Sequence, residues 1–272
     1  AATLAELGAE LSAVAKDEGL PPVPAVRAIP EDINGAELLR SGFAGMAAAH
    51  PDESTGALAA AGELTVPIGL DGATFSVAAV TLRAIPTFLV AGPDGAGRTT
   101  ALRTLARGIF AAWPEVEAYL LAPRRNSLED GGVPWREQAR GLAACEALVE
   151  RLSSAVTVRR EQGGPPAVVI IDDADDLTEG MAAINLEPVV KAARDDAVVV
   201  VAACHTQSAH RAYGGWLAEL RRAKHGLLLS PDVEIDGDLF GVRLPRKSTH
   251  RFPPGRGYLV RRTNLDLVQV AH

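Results

Sequence analysis

Two glycines five positions apart, Gly92 and Gly97, enclose Pro93-Asp94-Gly95-Ala96 and are followed by Arg98-Thr99-Thr100. This is the G-x-x-x-x-G-K-S/T spacing of a phosphate-binding P-loop, with arginine in place of the lysine. Glycines there let successive backbone N–H groups turn toward phosphate oxygens at the positive end of the following helix. Thr99 then offers its hydroxyl to Mg²⁺, and Arg98 stands where a side chain reaches the β- and γ-phosphates of ATP. A guanidinium is wider, planar and forked where an ammonium is compact, so the substitution predicts binding with slow hydrolysis. A second motif agrees with the first. Ala167-Val168-Val169-Ile170-Ile171 ends in Asp172-Asp173, the pattern of a Walker B strand. Its position predicts Mg²⁺ held by Asp172 through water, and an attacking water oriented by Asp173. That last role usually falls to glutamate. An aspartate falls short by about 1.5 Å, and displacements near 1 Å cost on the order of 100-fold in rate. The plainer alternatives are a Gly/Thr-rich turn and an acidic turn with N-capping carboxylates.

Chemistry of this kind needs a strand, a loop and a helix in that order. Phe88-Leu89-Val90-Ala91 reads as a buried strand before the loop, and Leu102, Leu105 and Ile109 recur at helical spacing after it. Further strands are predicted over 118–122, 168–171, 198–203 and 227–229, with a helix over 138–158. Strands alternating with helices imply a mostly parallel sheet with right-handed crossovers. Thr65–Ile68 and Thr74–Val77 around Gly69–Gly72 predict a hairpin ahead of the P-loop strand. A terminal hairpin is predicted from 257–260 and 267–271, joined across 261–266. Thr3 and Glu6 have capping-box spacing before Leu4, Leu7, Leu11 and Val14, an amphipathic helix in need of a partner surface. Pro21, Pro22 and Pro24 end it, and a short helix near 36–46 follows. The expected organisation is a helix and connector over 1–62, packed on a P-loop domain over 63–272.

Three features beside the motifs carry two readings each. Arg124 and Arg125 follow the 118–122 strand, either as a finger reaching a neighbour's phosphate in trans or as an arginine pair that is solvated or pairs with acidic residues. His205 and Gln207 follow the 198–203 strand, either as a γ-phosphate sensor or as a surface turn. Trp216, with Leu217 and Leu220, is either core or part of an apolar groove.

The formal charge of −7 argues against non-specific coating of DNA, whose affinity comes from phosphate neutralisation. Cys145 and Cys204 are too few for a disulfide framework and lack metal-ligand spacing, and the one near cluster, Cys204 with His205 and His210, is not expected to be a metal site. No run of 18 apolar residues and no signal layout is present in these residues. The chain opens without methionine inside a helical pattern, as expected of a segment of a longer polypeptide.

Pro67-Ile68-Gly69-Leu70-Asp71 ahead of the P-loop, Arg124-Arg125, Asp172-Asp173, and Pro253-Pro254-Gly255-Arg256-Gly257 before Gln269-Val270-Ala271 together resemble the carboxy-terminal ATPase module of EccC-type type VII secretion ATPases. That family belongs to the FtsK/SpoIIIE-like translocases. The resemblance covers roughly residues 60–272 and implies a RecA/FtsK-like P-loop fold with bound ATP and Mg²⁺. It also implies sibling ATPase modules on one chain and a homo-oligomer such as a hexamer. The setting would be the cytoplasmic side of a bacterial inner-membrane complex. Its implied partners are secreted helical WXG-family proteins, recognised through a carboxy-terminal tail, with no nucleic acid. Arg98 and Asp173 match modules of that family whose hydrolysis is degenerate and whose role is recognition.

Overall fold

The runs Ala167–Ile171 and Val198–Ala203 are apolar on both sides of the backbone, and strands of that kind persist only between two covering layers. In the computed structural model, which describes residues 3–18, 28–49, 64–124, 128, 132–162, 167–245 and 252–272, they form the middle of one sheet. The described elements are α1 (Leu4–Asp17), α2 (Gly35–Ala49), β1 (Thr65–Asp71), β2 (Val77–Thr81), β3 (Thr87–Gly92), α3 (Arg98–Ala112), β4 (Ala118–Ala122), β5 (Glu137–Arg140), α4 (Leu142–Gln162), β6 (Ala167–Ile171), α5 (Gly180–Ala192), β7 (Val198–His205), α6 (Thr206–Arg211), α7 (Gly215–Arg222), β8 (His225–Leu229), β9 (Arg256–Arg261) and β10 (Asn264–Val270). Short 3₁₀ turns lie at 174–177, 193–195 and 236–239.

The sheet runs β2-β1-β10-β9-β8-β3-β7-β6-β4-β5. From β8 to β5 the pairs are parallel, and from β2 to β8 they are antiparallel. Alternation along each central strand feeds two cores. Leu89, Val169, Ile171, Val200 and Ala202 face one core with Leu148 and Leu152 of α4, Leu186 of α5, and Trp216 and Leu220 of α7. Phe88, Val90, Val168, Ile170 and Val199 face the other with Leu102, Leu105 and Ile109 of α3 and Val66 and Ile68 of β1. The helices therefore cover both faces of a mostly parallel sheet, the P-loop ATPase architecture expected from the sequence.

Three boundaries differ from the sequence expectation. Asp71 Oδ1 accepts hydrogen bonds from the N–H groups of Ala73 and Thr74 and from the Thr74 hydroxyl, and Phe75 takes φ 57°. That turn absorbs Thr74–Ser76, so the second hairpin strand starts at Val77. Gln138–Arg140 belong to an edge strand paired with β4 instead of a helix, because Gly141 at φ 79° separates the two. The terminal hairpin turns on Arg262-Thr263 alone, with Arg262 at φ 59°, and Arg261 forms an ion pair with Asp266 across it.

Thr3 and Glu6 close the expected capping box on α1, whose Leu7, Leu11 and Val14 stand exposed. Segment 28–49 instead packs on the sheet. Gly35 N–H donates to His272 O at 2.8 Å and His272 N–H to Ile33 O at 3.0 Å, with Ile33 and Leu38 buried against Ala271.

Candidate functional site

β3 lies between β7 and β8, and its last residue, Gly92, stands in register with His205. A Cβ at Gly92 would come within 3.0 Å of Leu229, which accounts for the glycine. The chain then turns through Gly95 (φ 74°) and Gly97 (φ 95°) and enters α3 at Arg98. The N–H groups of Gly95, Gly97, Arg98, Thr99 and Thr100 donate to no group among the described residues. These are the orphan donors of a helix amino terminus, and a phosphate chain has the acceptors they lack. The donor set thus fits ATP.

Two side chains meet beneath this cradle. Thr99 Oγ1 donates to Asp172 Oδ2 at 2.8 Å, and Asp172, at the carboxyl end of β6, is only 1% exposed. This hydroxyl–carboxylate pair, on hard oxygen atoms, fits Mg²⁺, which when bound would neutralise phosphate charge. Burial raises the Asp172 carboxyl above its usual range, and the Thr99 hydrogen bond pulls it back down. Asp173 sits at φ 44°, in the left-handed region, where a non-glycine residue is strained. Its carboxyl is also raised by burial, against the pull of Arg124 and Arg98.

Arg98 is turned into the loop. Its guanidinium donates to Gly92 O at 2.6 Å and to Asp94 Oδ1 at 3.3 Å, and lies 3.9 Å from Asp173. Arg124 is engaged within the chain. Its fork donates to both oxygens of Asp176 at 2.7 and 2.8 Å. Arg125 lies outside the described residues. The His205 N–H donates to Asp175, and its Nδ1 accepts from Gln207 N–H at 3.1 Å, so the imidazole caps α6. Arg98, Thr99, Asp172 and Asp173 are therefore brought together, His205 stands beside them, and Arg124 forms a rim with Asp176.

Two further contributors stand around the loop, the first without a site role in the sequence reading and the second read there as either core or part of an apolar groove. Gly255 N–H donates to Ala96 O at 2.8 Å, so the Pro253–Gly255 turn straps the P-loop from 159 positions away in sequence. Trp216, 1% exposed, belongs to the core, and its Nε1 donates at 2.9 Å to the carbonyl of Leu177, which ends the turn carrying Asp175 and Asp176. Beside it lies a cavity of about 460 Å³ lined by Thr178, Glu179, Ala183, Arg211, Tyr213 and Trp216. Tyr213 is 87% exposed, and Met181 and Ile184 stand exposed on α5.

A P-loop closing on a Walker B aspartate at the carboxyl edge of a mostly parallel sheet defines a P-loop ATPase fold. The chain is 31% identical over 227 residues to the ESX-4 secretion system protein EccC4 of Mycobacterium tuberculosis, covering 75% of this chain and 18% of that protein. It is 24% identical over 231 residues to the ESX-1 secretion system protein EccCb1 of Mycolicibacterium smegmatis, covering 76% of this chain and 38% of that protein. The chain is similar to the EccC-type proteins of type VII secretion systems over about three quarters of its own length. It spans well under half the length of these relatives.

Among solved structures, the fold matches the cytoplasmic domain of the Thermomonospora curvata type VII secretion ATPase EccC with a TM-score of 0.71 at 22% identity, over 99% of this chain and 32% of that one. It also matches ATPases 2 and 3 of the same protein in complex with a signal sequence peptide, with a TM-score of 0.69 at 22% identity, over 98% of this chain and 48% of that one. No family profile matches the chain.

Proposed function

We propose that this module binds MgATP weakly, hydrolyses it very slowly, and recognises the carboxy-terminal signal tail of a helical WXG-family protein for a type VII secretion motor. The observation that carries the reading is Arg98. Its fork is committed to Gly92 O and Asp94 within the loop, so an incoming phosphate must displace those bonds before it meets the charge. The loop amides bind and orient the phosphates, Thr99 and Asp172 hold the cation, and Asp173 is one methylene too short to place a water well. In the full-length protein the module works beside sibling ATPase modules in a homo-oligomer at the inner membrane.

Support for tail recognition comes from the cavity beside Trp216 with the exposed Tyr213, Met181 and Ile184, which suits the apolar face of a short helix. The complex of T. curvata EccC with a signal sequence peptide supports the same reading.

Isothermal titration with MgATP and a phosphate-release assay test the nucleotide half. Turnover above about 1 per second, within the ordinary enzyme range, defeats it in favour of an active motor module. Arg98→Lys with Asp173→Glu is expected to raise turnover, by restoring the ammonium and the longer carboxylate. Fluorescence anisotropy with tail peptides tests the other half. The tail should bind with a dissociation constant near micromolar, about −8 kcal/mol, and with little salt dependence. Equal binding of a scrambled tail removes the recognition reading. Tighter binding of duplex DNA with a steep salt slope replaces it.

A further inference from the structure

Arg256 is 8% exposed, and its guanidinium donates to three neutral oxygens. Nε reaches Gln269 Oε1 at 3.0 Å, and Nη2 reaches the carbonyls of Ile29 at 2.8 Å and Pro30 at 3.0 Å. Gln269, 1% exposed, passes the contact on, because its Nε2 donates to Pro254 O at 3.0 Å. The next residue, Gly255, donates to Ala96 O at 2.8 Å and accepts from Val270 N–H at 2.8 Å. Its φ of 81° and a gap of only 3.0 Å between its nitrogen and the place of a Cβ on Gly97 leave the strap no slack against the P-loop. A continuous path of hydrogen bonds and peptide units therefore runs from residues 29–30, through Arg256, Gln269 and Pro254–Gly255, to Ala96–Gly97.

The guanidinium is a costly way to fill this space. Burial lowers its hold on the proton, and Glu31 restores only part of it. An apolar side chain of similar volume would avoid that desolvation. What the fork adds is reach: one planar group holds the connector carbonyls and the hairpin amide together, through charge-assisted hydrogen bonds. The far side of the connector is clamped independently by Gly35 and Ile33 on His272.

We propose that Arg256 is a positioning residue of the phosphate cradle, fixing the P-loop backbone relative to segment 28–35 so that displacing that segment weakens phosphate binding. By linkage, phosphate in the cradle tightens the hold on the segment to the same degree. The inference rests on the P-loop being a nucleotide site, but its structural half is measurable without nucleotide.

The test is amide hydrogen exchange of the full chain, read at the hydrogen-bonded amides of Gly35 and His272 for the connector, at those of Ala96, Ala101 and Gly255 for the loop and its strap, and over β6 and β7, without ligand and with MgATP, paired with isothermal titration. Arg256→Met is expected to speed exchange at both groups of amides by about tenfold without ligand, leaving β6 and β7 unchanged. It should also weaken MgATP binding by about tenfold. Arg256→Lys should recover part of each effect, since an ammonium keeps the charge and loses the fork. Gly35→Ala drives a Cβ to 2.8 Å from His272 O and loosens the connector from its other end. It should speed exchange at Ala96, Ala101 and Gly255 without touching Arg256, and it decides the matter if Arg256→Met does not fold. Unchanged exchange at Ala96, Ala101 and Gly255 in either variant that folds, or a uniform rise across the sheet, overturns the proposal. Absence of MgATP binding to the unaltered chain would defeat the nucleotide reading, while the ligand-free exchange would still decide the coupling.

Discussion

Thr99 and Asp172 show how one hydroxyl can serve both the fold and the site. The carboxylate is almost fully buried, and the 2.8 Å bond from Thr99 offsets part of the burial that raises its proton affinity. Thr99→Ala should therefore lower stability by about 1 to 3 kcal/mol, as expected when a buried acceptor loses its donor. It should also remove any Mg²⁺ dependence of nucleotide binding; urea unfolding and titration with and without Mg²⁺ check the two effects. His225 sets a pH dependence at the opposite edge of the sheet. Its ring is 2% exposed, packs edge-on against Phe88 with centroids 4.8 Å apart, and stands 3.1 Å from Thr87 O. Burial pulls its pKa down from 6.5 to about 4. The unfolded chain then takes up a proton that the folded chain refuses. The stabilisation is complete above pH 6.5 and fades as pH falls toward 4, a loss of about 3 kcal/mol. Unfolding followed between pH 7 and pH 4 should show this slope in the natural sequence and a shallower one in His225→Gln.

At the scale of elements, the contacts of the P-loop decide which glycines are replaceable. Gly97 is left-handed, and a Cβ there would come to 3.0 Å from the Gly255 nitrogen, a backbone atom that cannot yield without moving the strap. Gly97→Ala should lower stability by about 2 kcal/mol, whereas Gly214→Ala, with open space around it, should not. Urea unfolding of both variants separates these outcomes. The same contrast explains what the sequence could reveal. The P-loop, the Walker B strand and the central strands were legible because each is a local run whose spacing or apolarity fixes its role. Short elements governed by a single residue were misread: the strand at 137–140 is divided from its helix by Gly141, and the β2 boundary is set by the Asp71 side chain. Which distant residue each loop group would meet was not legible, even where pairing of Arg124 with an acidic residue was one expectation. Arg124 meets Asp176 across 52 positions, and Gly255 meets Ala96 across 159. Nothing local marks such partners, since an arginine or a glycine in a loop is compatible with many of them.

The whole molecule carries a formal charge of −7, and association with duplex DNA through phosphate neutralisation should be undetectable at physiological salt. A mobility-shift assay across salt concentrations checks this, and binding with a steep salt slope would contradict it. A larger consequence follows from the strand order. β9 and β10, the last strands in the sequence, do not sit at an edge of the sheet; they fill the gap between β8 and β1. During synthesis on the ribosome, the β1–β2 hairpin and the parallel strands emerge first and, although α3 packs on both, no strand pairs them with one another. They must wait as two separate half-sheets until residues 256–270 appear and bridge them, because β1 pairs with β10 across roughly 200 positions. The hairpin made last is thus the keystone of the ten strands, and the same late arrival delivers the strap to the P-loop. A nascent chain stalled before β9 should leave the edges of β1 and β8 open to chaperones or to pairing with other chains. The phosphate cradle would become complete only when translation of the hairpin is done.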